Sequence, residues 1–320
     1  MADIVNRTEL QAIRDYVQDN RDDVLELVMR QAPSLKYFTR YEGVIGELLL
    51  EWNDIQDVVK PWACDFSPDP DLIDRKPISI RSYFQKAEAR FCPKNDFFTY
   101  KGYLAQTKQN PRDYPYARWA IEHLLAPKIR QQLEFQQLFT GTRVNPPTAA
   151  SEMYDGLLTI IAADLASGTP ILTPVTTGVL TAANIIDQVE QMDDAIDEKY
   201  KTSMMAMRCA PEIFKMYRRA YRAAAGFHPD NPTTNSEDVV TEITIDGSTT
   251  KLVSCPGMTG SQRLILTPIN NTYYAYDDPS DDQVFEFFQQ HRYLDMWCDF
   301  WGGTGFLIFD PRILYVNDQA

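Results

Sequence analysis

The chain has 320 residues, 44% of them hydrophobic and 24% charged, and its 31 basic against 45 acidic residues give a formal net charge of -14. That length buries a real core, expected to divide into two subdomains, and the composition is that of a folded globular protein. So acidic a surface repels phosphate backbones, which argues against sequence-specific reading of DNA or RNA.

No apolar run approaches the ~18 residues of a membrane span; GELLLEW and GLLTIIAADLA both stop short. The opening stretch MADIVNRTELQAIRDYVQDNRDD is acidic and amphipathic without an apolar signal core, so a cytosol-made protein is expected. Over residues 8–30, Leu10, Ile13, Val17, Val24 and Val28 fall near one helical face, and Pro33 ends that helix. Its apolar stripe needs a cover, either its own domain or a partner surface. After GVIGELLLEWNDI the chain enters KPWACDFSPDPDLIDRKP, a Pro/Asp-rich connector.

Residues 77–106, PISIRSYFQKAEARFCPKNDFFTYKGYLAQ, read as a long hairpin. Ile78, Ile80 and Phe84 form one apolar face, and Lys86, Glu88 and Arg90 charge it toward the tip. CPKND makes the turn and FFTYKGYLAQ returns as the second strand. A hairpin of this kind is marginal alone, so it is expected to project over a neighbouring subunit.

Residues 110–141 carry the longest helical signal, with Ala117, Ile121, Leu125, Ile129 and Leu133 every four residues and Leu124 and Leu138 alongside. Pro127 should kink or split this helix, and Gly141 stops it. DGLLTIIAADLASGTP reads as either strand or helix. Residues 181–200 form a helix with Ile185, Val189, Met192, Ile196 and Tyr200 on one face. The strand SMMAMRC follows, then a helix from Pro211 to Gly226 burying Phe214, Tyr217, Tyr221 and Ala224. FHPDNPTTNSED is a loop, and VVTEITIDGSTTKLVSC a hairpin turning at Asp246-Gly247. The C-terminal stretch supplies several aromatic strands, with GGTG at 302–305 read as a tight turn between two of them.

Chemistry is hard to find. The five cysteines, Cys64, Cys92, Cys209, Cys255 and Cys298, are scattered and expected to be reduced structural thiols. His291 and Cys298 are the nearest approach to a zinc pair, and they read as ordinary core or surface residues. There is no GxSxG elbow and no phosphate loop. Asp277, Asp278, Asp281 and Asp282 cluster around a proline, which reads as a solvated turn, and the calcium-loop pattern is absent. His123 sits within the long helix, in a surface or half-buried role. No catalytic, cofactor-binding or metal-ligating residue is assigned, and no cofactor is expected.

The order of elements resembles the major capsid protein of tailed bacteriophages, the Hong Kong 97-type fold. YPYARWAIEHLLAPKIRQQLEFQQLFTG is similar to that family's spine helix, and LTAANIIDQVEQMDDAIDEKYKTSMMAMRCAPEIF to its axial-domain helix, strand and helix. TPINNTYYAYDD resembles the segment returning from the axial domain, and DFWGGTGFLIFDPRILYV the closing strands. The resemblance implies an α+β fold with an N-terminal arm (1–62) and an extended hairpin, the E-loop (63–108). It implies a peripheral domain with a long kinked spine helix (109–170 and 262–320) and an axial domain (171–261). It further implies a structural, non-enzymatic protein that assembles as hexamers and pentamers into an icosahedral head around double-stranded DNA. Its partners would be copies of itself, a portal, and scaffold or decoration proteins, with DNA contacted weakly and no membrane. It would be built in the bacterial host cytoplasm and end in the virion.

Some members of that family join a hairpin lysine to a neighbour's asparagine. Here Lys86, Lys94 and Lys101 sit in the expected hairpin and Asn270 and Asn271 in the late segment, nothing shows that any pair reacts, and solvation is the expected use of all three lysines. Residues 1–35 are an arm or a short substitute for the longer N-terminal scaffolding region that some members carry. The same fold would also serve an encapsulin-like cargo shell, and from another class a carboxylate-based glycoside hydrolase is the competing reading.

Overall fold

The computed structural model describes residues 32–55, 59, 62, 73–110, 114, 116–201, 204–225, 240–277, 286–290 and 293–319. The helix expected at 8–30, the loop at 227–238, Cys64, His291 and Asp278–Asp282 lie outside these residues.

In chain order, a 3-10 turn Pro33–Tyr37 leads into β1 (Thr39–Tyr41), β2 (Glu47–Ile55), β3 (Ile73–Arg81) and β4 (Tyr83–Phe91). Helix α1 (Pro93–Thr107) precedes the long helix α2, which is assembled from four consecutive pieces. These are α-helical Tyr116–Ala120, a π turn Ile121–Leu125, α-helical Ala126–Gln132 and a second π turn Leu133–Gln137. Then come α3 (Leu157–Leu165), α4 (Ile185–Asp194), β5 (Met205–Cys209) and α5 (Pro211–Ala225). The remaining strands are β6 (Glu242–Thr244), β7 (Lys251–Ser254), β8 (Ile265–Pro268), β9 (Thr272–Tyr276), β10 (Glu286–Gln290), β11 (Tyr293–Phe306) and β12 (Tyr315–Val316).

Among the described residues, three sheets organise the chain. The first is built on β11, which pairs with β4 along one edge and with β10 and β9 along the other, β1 adding to β9 in parallel. The second runs β12-β8-β5-β7-β6. Its central strand β5 is buried at all five positions, as a strand covered on both faces should be. This sheet draws strands from both the 171–261 and the 262–320 segments. The third is the two-stranded hairpin β2–β3, which joins neither of the others.

The long helix keeps Ile121, Leu125, Ile129 and Leu133 buried, as their spacing predicts. A strict four-residue repeat outruns an α-helix of ~3.6 residues per turn, and the two wider π turns let the stripe stay on one side. Pro127 does not split this helix. The residues before it remain helical, Leu125 at φ −77, ψ −54 and Ala126 at φ −59, ψ −45. The irregularity expected of a proline appears as the π turn just ahead of it, where the Ala126 N–H reaches back to the Ile121 carbonyl. A wider turn is a way to accommodate a ring that cannot donate and that crowds the preceding carbonyl.

The hairpin reading of 77–106 needs correction on two counts. FFTYKGYLAQ is not a strand but lies in α1, with Pro93 in the first turn, Asp96 beside it, and Tyr100 and Leu104 buried one turn apart. β4 does not project either: it pairs with β11 from Tyr83–Gly302 to Phe91–Leu294 within the same subunit. Arg90, expected at an exposed tip facing a neighbour, instead makes a two-pronged bond to Asp295 of β11 at 2.6 and 2.8 Å. Arg90→Glu would set two carboxylates against each other across one ladder. A melt of the unassembled subunit should therefore show a lowered midpoint. An unchanged melt with reduced assembly would restore the original placement.

GGTG is likewise not a turn but the continuous end of β11, where Gly302 pairs with both Tyr83 and Tyr276. Its glycines answer to close neighbours. A Cβ on Gly303 would overlap the Arg81 carbonyl oxygen and lie 3.0 Å from its carbon, and one on Gly305 would lie 2.7 Å from the Tyr273 hydroxyl.

Candidate assembly surface

Among the described residues, the β2–β3 hairpin pairs with neither large sheet. The segment that leads to it, residues 33–38, threads between the long helix and both large sheets. Glu134, 1% exposed in the second π turn, accepts from the Ser34 N–H at 3.1 Å, the Ser34 hydroxyl and the Gly257 N–H at 2.9 Å. Arg208, fully buried in β5, donates to the Tyr37 carbonyl and the Thr272 hydroxyl, both at 2.7 Å. Desolvation pulls the Arg208 guanidinium down to about 10, which still leaves it charged at neutral pH. Two buried charges thus lock the approach to β1. Sequence reasoning named neither residue, although an arginine inside the apolar run MMAMRCA was a legible signal.

From β1 the chain turns outward. Gly43 and Gly46 adopt φ of 71° and 80°, a left-handed conformation that glycine takes without strain. Ser82 closes the root from the other side: its N–H donates to the Gly46 carbonyl at 2.7 Å and its hydroxyl to the Val44 carbonyl at 2.6 Å. Beneath the root lies a small separate core of Val44, Ile80, Tyr273 and Ala275, with Tyr41, Leu50 and Leu307 packed against it. Beyond it, the strands carry apolar side chains into solvent. Leu49 is 72% exposed, with Leu48 and Ile73 also open and Ile45 near the root. An antiparallel ladder nine pairs long with uncovered leucines is stable when something lies on it.

The residues singled out for chemistry do not converge. His123 is exposed, its ring 4.6 Å from Tyr103 and 5.9 Å from Trp119, with Nε2 3.3 Å from the Tyr114 hydroxyl. Among the described residues no group of three or more His, Cys, Asp or Glu is placed to hold a metal. Cys209, Cys255 and Cys298 are buried, Cys92 partly so, and burial pushes the Cys255 thiol up to about 12. Of the lysines considered for cross-linking, Lys86 pairs with Glu88 at 2.9 Å, Lys101 stands over the Phe97 ring, and Lys94 is exposed on α1. None lies on the β2–β3 hairpin. Asn271 is buried, donating to the Thr267 hydroxyl and accepting from the Ile308 N–H, while Asn270 is exposed. A cleft of about 470 Å³ between β4 and α2 has Gln85 and Gln137 bonded to each other at 2.9 Å in its wall.

No protein-family model and no curated protein sequence matches the chain. Solved structures do. The chain is similar to one in the capsid of an empty GTA particle, with a TM-score of 0.52 and 14% identity over 89% of this chain and 95% of that one. It is similar to one in the cyanophage A-1(L) capsid, with a TM-score of 0.53 and 14% identity over 92% and 91%. The capsid of a native GTA particle gives 0.51 and 13% identity over 91% and 97%. At such identities what is shared is the path of the chain over nearly its whole length, and this protein therefore has the fold of the chains in these cyanophage and GTA capsids.

Proposed function

We propose that this chain is a shell-forming structural protein, the major capsid protein of a phage-type head, assembling as hexamers and pentamers into an icosahedral shell around double-stranded DNA. The observation that carries the reading is the β2–β3 hairpin: nine ladder pairs outside both large sheets, aimed by buried charges, with Leu48, Leu49 and Ile73 open to solvent. In this reading β2 and β3, and not the hairpin expected at 77–106, are the reaching arm that lies over the next subunit. The first sheet with α2 forms the peripheral unit, and the second sheet with α4 and α5 the axial unit. Repetition of modest contacts around a closed symmetric shell supplies stability that no single pair of subunits has. The net charge of -14 suits a wall that must not bind packaged DNA tightly. No enzymatic role is needed, and the shell's partners would include a portal and scaffold or decoration proteins.

Leu49→Lys tests this. The side chain is exposed, so the subunit should melt within about 0.5 kcal/mol of the parent, while sedimentation should show loss of the large assemblies that the parent forms. Assembly unaffected by a charge at Leu49 would mean that the hairpin face is not the contact.

A further inference from the structure

Beyond its root, the hairpin meets its own subunit again at Trp52 and Lys76. Trp52 and Lys76 stand opposite each other in the β2–β3 ladder, with the Lys76 ammonium 5.3 Å from the Trp52 ring. Asp310 and Arg312, just before β12, rise from the body to meet them. The Arg312 guanidinium lies 5.7 Å from the same ring, and Lys76 Nζ lies 3.8 Å from Asp310 Oδ2.

The two sides of this contact differ in rigidity. Asp310, its side chain 5% exposed, accepts from the Arg312 backbone N–H at 2.9 Å, from Nε at 3.0 Å and from Nη2 at 2.6 Å. Its carbonyl also accepts from the Ile313 and Leu314 N–H groups. The body therefore presents a pre-formed pair of opposite charges. The hairpin answers with a cation for the aspartate and an aromatic face for the arginine, the Lys76 side chain being 49% exposed. The contacts that cross to the body include an ion pair at 3.8 Å and a cation–π contact, with Lys76 and Trp52 both partly open to water. Trp52 and Lys76 form the sixth of the nine ladder pairs counted from the root, so contacts to them act on a lever arm.

We infer that Trp52 and Lys76 on the hairpin and Asp310 and Arg312 on the body form a reversible latch. It parks the arm in the unassembled subunit and is exchanged for contacts to a second copy on assembly. The inference rests on the shell reading for the second step, and not for the first. Partly exposed contacts suit such a stop: they hold the arm while nothing covers it, and a neighbouring surface competes with them. Asp310 keeps its bonds to Arg312 when the arm leaves, so the buried carboxylate is not stranded.

Hydrogen exchange on the full-length, unassembled protein tests the latch. In Trp52→Leu and in Lys76→Met, amides of the outer hairpin should exchange roughly tenfold faster, while β9 and β11 keep their parent rates. Parent rates throughout the hairpin in both variants would overturn the inference. Should Trp52→Leu also loosen β9 and β11, Lys76→Met decides, since it removes only a charge from a half-exposed side chain. The second step is read from assembly: the loosened variants should form particles at a lower protein concentration than the parent. Faster exchange with an unchanged assembly threshold would overturn the exchange of contacts. A parent chain that never assembles would instead count against the shell reading, with the comparison on free subunits still intact.

Discussion

Gly303→Ala is expected to be among the most damaging single substitutions in this protein, although it adds one methyl group. The methyl would overlap the Arg81 carbonyl oxygen and crowd the Ser82 Cα at 3.1 Å, so backbone would meet backbone with no flexible side chain to yield. The obstacle lies where β3 hands over to β4, which is the root of the hairpin and the start of the first sheet's edge. Overpacking typically costs ~1–3 kcal/mol, and a backbone collision belongs at or above the top of that range. Against a total stability of roughly 5–15 kcal/mol, urea unfolding should show a large loss, with soluble yield falling too. Gly102→Ala supplies the control. Gly102 lies within α1 with nothing near an added Cβ, so the same change there should stabilise by roughly 0.5–1 kcal/mol. Equal effects at the two positions would show that Gly303 is not crowded in this way.

Glu134→Ala is the second large effect. It strips the acceptor from the Ser34 N–H, the Ser34 hydroxyl and the Gly257 N–H, and all three bonds are buried. Each donor left unpaired costs about 1–3 kcal/mol, and allowing for relaxation the sum should be roughly 3–5 kcal/mol by urea titration. Glu134→Gln retains a neutral acceptor and should lose about half as much. Because residues 33–38 lead directly to the hairpin, the alanine variant should also expose the β1 edge of β9 to exchange before the second sheet opens. A loss below about 1 kcal/mol would mean that the carboxylate is not what holds this segment.

How far the sequence reveals this architecture depends on whether a signal was local. The second sheet was legible because each piece declared itself: the 3.6-period stripe Ile185–Val189–Met192, the apolar strand Met205–Cys209, Pro211 at a helix start and Asp246-Gly247 at a turn. Its strand pairing follows, with β5 and β7 parallel on either side of α5. Where the reading failed, a local pattern was decided by something distant. PKNDFFTY has aromatic and β-branched residues that favour a strand, yet Pro93 and Asp96 mark a helix start and Tyr100 and Leu104 reach the core. The glycines of GGTG imitate a turn, while their cause is the Arg81–Ser82 backbone and the Tyr273 ring, far away in sequence. The true hairpin was hidden by its long Pro/Asp-rich connection, since Leu48 and Leu50 find Ile80 and Ile78 only across it. Arg208 and Glu134 were passed over because a charge in an apolar run gives no hint of its partner's position.

Negative-stain electron microscopy of the purified protein, or of the particles it comes from, tests assembly most directly. Closed, rounded shells of uniform diameter with fivefold vertices are the expected result, disappearing in Leu49→Lys while that subunit stays folded. Only monomers of 36.7 kDa under every assembly condition, with a scaffold protein supplied as well, would contradict it.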